Sequence, residues 1–160
     1  ILSENLDFYL GKYQTWSSYE PEDKGILIAY ASIHGNTGKA AEKLAELLRA
    51  KGAEKVVVSD LAREDMAEVI DRMVLAAATY DAGVFPCMDS FLARLKSKNF
   101  QKRTVGLIEN GSWAPMAGKV MKDSLSQMKE ITVLEPVVTI KSTLNEASAE
   151  QLELLADALV

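Results

Sequence analysis

The sequence is poor in the residues that build disulfides and metal centres. Of its 160 residues, only Cys87 is a cysteine and only His34 is a histidine. A single cysteine excludes an internal disulfide and fits a reducing compartment, so we expect a cytoplasmic protein. A single histidine excludes a multi-histidine metal centre within the chain, and we therefore assign no metal ligands to it.

Long apolar runs and an excess of positive charge are missing as well. No stretch is long enough to span a bilayer, and no basic-then-apolar signal segment opens the chain, so no membrane association is expected. Against 23 Asp and Glu residues there are 18 Lys and Arg residues, a formal net charge of −5 that argues against nucleic acid as a partner. Hydrophobic residues, in contrast, make up 48% of the chain, enough for one domain with a core.

Apolar runs alternate with segments of helical spacing from residue 25 onward. The predicted strands are Gly25–Ala31, Lys55–Ser59, Met73–Ala77, Arg103–Ile108 and Ile131–Ile140. The predicted helices are Lys39–Ala50, a short one at Asp65–Asp71, Pro86–Lys98, Pro115–Met128 and Glu146–Ala158. This alternation predicts an α/β fold with a doubly wound parallel sheet and helices on both faces.

The most informative segment is the loop Ser32–Gly38, which has the sequence SIHGNTG and follows the first strand. Small and hydroxyl-bearing residues between a strand and a helix are typical of a phosphate cradle, because hydroxyls and first-turn N–H groups donate to an anion. The segment matches neither the dinucleotide fingerprint nor the nucleoside-triphosphate loop. An ordinary capped turn uses the same residue types, so this loop alone leaves ligand binding and simple capping open.

Two further loops follow strands at the same predicted edge of the sheet. Residues 78–83 carry Tyr80 beside a glycine, and residues 109–114 carry Trp113 among small residues. Ligands of open parallel sheets bind beyond the carboxyl ends of the strands. A phosphate cradle with an aromatic residue on each of two neighbouring loops suits a flat aromatic ligand that bears a phosphate.

Three motifs at these positions resemble those of flavodoxins: Ser-x-x-Gly-Asn-Thr, Thr-Tyr-x-x-Gly and Gly-x-Trp, after the first, third and fourth strands. The resemblance covers residues 25–160 and implies a flavodoxin-like, five-stranded sheet in the order 2-1-3-4-5. It is closest to the flavodoxin domain of flavo-diiron proteins, in which a metallo-β-lactamase-like domain with two irons comes first. The aromatic segment 13–17 resembles the chain that leaves that domain, so residues 1–24 are expected to be a tail or linker.

The resemblance implies FMN as the cofactor. It implies that the phosphate is bound by the side chains of Ser32, Asn36 and Thr37 and by the backbone N–H groups of Ile33, His34 and Gly35. It implies that the isoalloxazine is bordered on one side by Thr79, Tyr80, Asp81 and Gly83. It implies that the other side of the isoalloxazine is bordered by Asn110, Gly111, Ser112 and Trp113. His34 departs from the Thr or Tyr that is frequent in the family, and we expect it to contribute only its N–H.

The resemblance further implies an electron-transfer domain that receives electrons from a redox donor such as rubredoxin or a reductase. In the family the acceptor is the diiron site, which reduces dioxygen or nitric oxide. The iron ligands are not in this chain, so the parent protein, a homodimer by resemblance, would be the oxidoreductase. The alternatives are a free-standing flavodoxin-type carrier, an NAD(P)H-dependent FMN or quinone reductase, and a binding module that has lost its cofactor.

Three other side chains have two interpretations each. Glu109 and Asp81 could form a catalytic carboxylate pair, but we prefer loop carboxylates whose negative field opposes negative charge on a reduced flavin. Cys87 at a predicted helix start could be a stabilised thiolate, but we prefer a small buried residue of the core. No catalytic residue is therefore assigned.

Overall fold

A computed structural model of the protein describes residues 23–63 and 70–160. The predicted tail, residues 1–24, lies outside the described residues except at its end. There Asp23 and Lys24 already belong to the first strand, which begins two residues earlier than predicted.

The described residues form seven strands and four helices. The strands are β1 (Asp23–Ala31), β2 (Val56–Asp60), β3 (Ile70–Tyr80), β4 (Gly83–Val84), β5 (Arg103–Asn110), β6 (Ile131–Val133) and β7 (Val138–Ile140). The helices are α1 (Asn36–Ala50), α2 (Pro86–Ser97), α3 (Ala117–Ser126) and α4 (Glu146–Leu159). The parallel strands lie in the order β2-β1-β3-β5-β6, and β5 is the fourth predicted strand. The predicted flavodoxin-like order 2-1-3-4-5 is therefore confirmed.

The prediction of one continuous last strand, Ile131–Ile140, is wrong. β6 pairs with the beginning of β5 and β7 pairs with its end, both in parallel. Between them lies Pro136, which follows a cis peptide bond. Proline has no N–H to donate to a neighbouring strand, and this explains the interruption of the pairing.

β3 is also longer than its prediction, Met73–Ala77, at both ends. The predicted short helix Asp65–Asp71 lies outside the described residues except for its last two, and these open β3 instead of closing a helix. At its other end, β3 extends to Tyr80 because the short antiparallel strand β4 pairs with its last residues. Part of the predicted second loop is therefore strand.

Helices cover both faces of the sheet, as predicted. One core cluster joins alternate residues of β1, β3 and β5, such as Leu27 and Leu107, to α2 and α3. The other joins the intervening strand residues, such as Ile28 and Ile108, to α1 and α4. Strands that bury side chains on both faces need apolar residues at every position, which is why β1 is apolar from Ile26 onward.

Candidate functional site at the carboxyl ends of the strands

The loops that follow β1, β3 and β5 meet at one edge of the sheet and surround a cleft of about 260 Å³. The cleft is lined by Ser32, Ile33, His34, Asn36, Thr37, Ala78, Thr79, Asn110, Gly111, Ser112 and Ser142. Nine of the eleven are predicted site residues, so the sequence located the cleft; Ala78 and Ser142 were missed. These lining residues include no Lys, Arg, Asp or Glu, so an anion here would be held by hydroxyls, amides and backbone N–H groups.

The first loop becomes helical earlier than predicted. α1 begins at Asn36 instead of Lys39, and the Lys39 N–H is the first to bond within the helix, to the Gly35 carbonyl at 3.0 Å. The N–H groups of residues 36–38 thus have no partner inside the helix and lie at the positive end of its dipole. This arrangement fits a phosphate.

The remaining backbone of the first loop is fixed by a local hydrogen bond. Gly35 has a left-handed φ of 84°, and its N–H donates to Ser32 Oγ at 2.9 Å. Gly35 does not line the cleft, and its N–H is already used within the loop. The predicted phosphate donors Ile33 and His34 do line the cleft, with exposed side chains.

The first turn of α1 rests on the ring of Tyr30. A Cβ added at Gly38 would lie 3.1 Å from Tyr30 Cε2, so a larger residue would push the turn away from the sheet. Partial burial and, secondarily, the negative charge of Asp60 raise the pKa of the Tyr30 phenol. The neutral ring therefore supports the turn at any physiological pH.

The second loop is a tight hairpin. β3 and β4 pair through Thr79 with Val84 and Tyr80 with Gly83, and the turn between them consists of Asp81 and Ala82. Both turn residues have positive φ, 46° and 56°, as a two-residue type I′ turn requires.

Three predicted flavin-bordering residues of this hairpin, Tyr80, Asp81 and Gly83, do not line the cleft. Tyr80 is 50% exposed and stands edge-to-face against Phe85, with ring centroids 5.7 Å apart. Its ring is held in place while one side stays open to solvent.

Replacing Ala82 with glycine is expected to stabilise the protein by about 0.5 to 1 kcal/mol. Left-handed backbone costs a residue with a Cβ roughly 1–2 kcal/mol, and the greater flexibility of unfolded glycine takes back about half of the gain. Urea unfolding measures the difference. Ala114→Gly, at an exposed loop position without a positive φ, is the matched control; equal stabilisation by both variants would contradict the turn assignment.

Thr79 lies in the cleft wall but also caps a helix. Its Oγ1 accepts hydrogen bonds from the N–H groups of Met116 and Ala117, at 3.0 and 3.2 Å, where α3 begins. A Cβ on Gly111 would lie 3.0 Å from the same oxygen, so glycine permits the third loop to pass close to β3. The two accepted bonds leave the hydroxyl hydrogen of Thr79 available to a ligand.

The side chain of Asn110 is engaged with protein groups. Its side chain is 8% exposed and exchanges two hydrogen bonds with the backbone of Ser142. A third contact, at 3.5 Å, runs from its Nδ2 to Thr37 Oγ1 in the first loop. The amide therefore joins three loops around the cleft.

Trp113 lies outside the cleft and is 97% exposed. Large aromatic side chains are seldom so open in a monomer, because water contact with their apolar surface is unfavourable. Together with Tyr80, it adds an exposed aromatic surface to the edge at which the cleft opens. Such a surface suits a stacking ligand or a partner protein.

A family model described as a flavodoxin domain matches residues 27–154. The chain belongs to the flavodoxin family. Rubredoxin oxygen:oxidoreductase from Desulfovibrio gigas has a similar structure, with a TM-score of 0.86 at 23% identity over 96% of this chain and 39% of that one. The flavodiiron protein from Giardia intestinalis has a TM-score of 0.81 at 16% identity, over 98% of this chain and 40% of that one. An archaeal flavodoxin has a TM-score of 0.76 at 19% identity, and the match covers 86% of this chain and 96% of that one.

These structural likenesses show the shared fold. This chain spans about two fifths of the length of the two larger proteins. A search of curated protein sequences gave no match.

The carboxylate of Glu109 supports the flavodoxin domain's third loop from outside the cleft. Its Oε2 accepts from the Gly118 N–H and its Oε1 from the Thr139 hydroxyl, both at 2.9 Å. Asp81 lies on the exposed hairpin turn. With both Glu109 oxygens bound within the protein, the geometry favours a structural role over the catalytic pair.

Cys87 of the flavodoxin domain is half-buried in the first turn of α2 and packs against the core. Burial raises the pKa of its thiol more than the adjacent backbone N–H groups lower it. The thiol form is therefore favoured, which agrees with the packing role and not with a stabilised thiolate.

Within the described ranges, no three His, Cys, Asp or Glu side chains are grouped so that they could hold a metal ion. No helix in the same part of the chain is both long and apolar enough to cross a membrane.

Ser142 could have been found from the sequence. It lies two residues after β7, so its loop follows a strand at the same edge as the other three. Its neighbours Lys141 and Thr143 are polar, but the segment has no aromatic or glycine motif to distinguish it from an ordinary loop.

Proposed function

We propose that this domain binds FMN and carries electrons, relaying them from a redox donor to a diiron site in a longer parent protein. The observation that carries the proposal is the cleft at the carboxyl edge of the sheet. Hydroxyl-bearing residues and the first residues of α1, Asn36 and Thr37, line it, and two exposed aromatic residues, Tyr80 and Trp113, lie outside it. This combination suits a ligand with an anionic end and a flat ring.

The size of the cleft indicates that it encloses only the phosphate end of the ligand and leaves the ring outside. At about 260 Å³ it falls just below the range of sites that enclose a whole drug-sized molecule, about 300–1,000 Å³. It is sufficient for a phosphate and part of the chain that bears it. The ring would then lie in the opening, within reach of the aromatic side chains and of an electron-transfer partner.

The residues present fit FMN. Ser32, Asn36 and Thr37 would hold the phosphate with the N–H groups of α1, and the hydroxyl hydrogen of Thr79 would meet a polar atom nearer the ring. When bound, FMN supplies the redox chemistry, because its ring accepts and releases electrons singly or in pairs. The protein binds the phosphate, limits the access of water on one side and leaves the other side open.

The share of this chain that each known structure matches favours a parent protein with a diiron domain over a free-standing carrier. The two larger proteins match 96% and 98% of this chain, whereas the archaeal flavodoxin matches 86%. One is a rubredoxin oxygen:oxidoreductase and the other a flavodiiron protein. By this proposal the parent is a cytoplasmic homodimer that reduces dioxygen or nitric oxide, and its donor is rubredoxin or a reductase.

Titration of free FMN with the cofactor-free chain tests the proposal. We expect the flavin fluorescence to be quenched in a saturable, one-to-one manner. Trp113→Ala should weaken the binding of FMN and riboflavin alike, since stacking does not involve the phosphate. Leu154→Ala, at a large hydrophobic residue 57% exposed on α4, is the matched control and should bind as the unchanged protein does.

Other outcomes would point to the alternatives. Absence of quenching would overturn the proposal and favour a module without cofactor. Steady consumption of NADH by the flavin-loaded chain alone would favour the reductase.

A further inference from the structure

We propose that Ser142 binds the phosphate-bearing end of the cofactor from a fourth loop, and that Asn110 is the positioning residue that holds Ser142 there. The inference rests on the proposed FMN function and assigns two residues within that site. It departs from the expectation that Asn110 borders the isoalloxazine.

Ser142 lies in the cleft close to the first loop. It lines the cleft together with the first loop, and one amide nitrogen, Asn110 Nδ2, contacts both the Ser142 carbonyl at 3.2 Å and Thr37 Oγ1 at 3.5 Å. Two groups that share one donor must be near neighbours. Ser142 therefore lies close to Thr37, on the side of the cleft proposed to hold the phosphate.

The backbone of Ser142 is in a conformation that needs external support. Its φ is 69°, and the Thr143 N–H bonds across it to the Lys141 carbonyl at 3.0 Å. A three-residue turn of this hand is rare and strained. Strained turns persist where the surroundings impose them, and they concentrate at binding sites.

Asn110 provides that support. Its Oδ1 accepts from the Ser142 N–H at 3.1 Å while its Nδ2 donates to the Ser142 carbonyl, so both backbone groups of the strained residue are fixed. The amide itself is buried at the end of β5. No other side chain type of this size both donates and accepts with the same geometry.

The side chain of Ser142 is left free by this arrangement. It is exposed, and among residues 23–63 and 70–160 its hydroxyl has no hydrogen-bond partner. A hydroxyl at the wall of a cleft that no Lys or Arg lines is a suitable donor to a phosphate oxygen. The strained turn and the amide that holds it thus place one further donor at the cleft.

The decisive variant is Ser142→Gly, because glycine tolerates the positive φ while the change removes the side chain that carries the hydroxyl. We expect FMN affinity to fall about 10-fold, as for a lost hydrogen bond to a charged group, while riboflavin affinity stays unchanged. Asn110→Ala should weaken FMN binding by more than Ser142→Gly does. Asn99→Gly is the matched control, since Asn99 has a similar φ of 58° but follows α2 at the opposite end of the sheet.

Amide hydrogen exchange of the cofactor-free protein gives a second readout. Asn110→Ala should remove the protection of the Ser142 N–H while the amides of β5 stay protected, which also shows that the variant is folded.

The outcomes separate the two proposals. If the unchanged chain fails to bind FMN, the proposed function falls and this inference with it. If that chain binds FMN and Ser142→Gly binds it equally well, only the inference is overturned. An equal loss of FMN and riboflavin affinity in Ser142→Gly would also overturn it, because a merely structural role would affect both ligands.

Discussion

Replacing Thr37 with valine is expected to weaken FMN binding by on the order of 10- to 100-fold, the effect of losing a hydrogen bond to a charged group inside a protein. Thr37 is 1% exposed in the first turn of α1, and it lines the cleft. Valine has nearly the same shape and fills the same space, so only the hydroxyl is lost. The effect is expected to be larger than for Ser142 because Thr37 is buried, where water cannot replace the missing donor.

Fluorescence titration with FMN and with riboflavin measures this effect. The loss of affinity should appear with FMN and not with riboflavin. Excess inorganic phosphate should compete less well with FMN for the variant than for the unchanged protein. Thr104→Val, in the same sheet but at the start of β5, is the matched control and should bind both flavins normally. A Thr37 variant with unchanged FMN affinity would show that the Thr37 hydroxyl does not bind the phosphate.

The position of the site was predictable because it depends on local order along the chain. A loop that follows a parallel strand lies at the carboxyl edge wherever the strand is placed, so the segments around Ser32, Thr79 and Asn110 had to meet. The fold was predictable for the same reason: five alternating units leave few arrangements of a parallel sheet.

The roles of individual side chains were not predictable, because they depend on contacts between distant residues. Thr79 caps α3 through Met116, 37 residues further along, and Asn110 holds Ser142, 32 residues away. Neither distance leaves a periodic signal in the sequence. The resemblance implies that Thr79 and Asn110 border the isoalloxazine, and nothing in the sequence indicates the hydrogen bonds that these side chains make with Met116 and Ser142.

The largest expected effect on stability is at Glu109. Glu109→Ala should lower the free energy of unfolding by about 2–4 kcal/mol, because it leaves two half-buried donors, the Gly118 N–H and the Thr139 hydroxyl, without partners. Glu109→Gln should lose much less. Its amide oxygen can still accept from Gly118, and the lost negative charge at the start of α3 is worth roughly 0.3–1 kcal/mol. Urea unfolding of the three proteins gives these differences.

Gly118 offers a way to disturb the same interaction from the other side. A Cβ there would lie 2.8 Å from Glu109 Oε2, so Gly118→Ala must displace the carboxylate. The losses from Gly118→Ala and Glu109→Ala should therefore not add in the double variant, as expected for residues that share one interaction. Glu135→Ala, which removes an exposed carboxylate paired with Lys122 at the surface, is the matched control and should leave stability unchanged. Fully additive losses at Glu109 and Gly118 would show that the carboxylate does not join β5 to the start of α3.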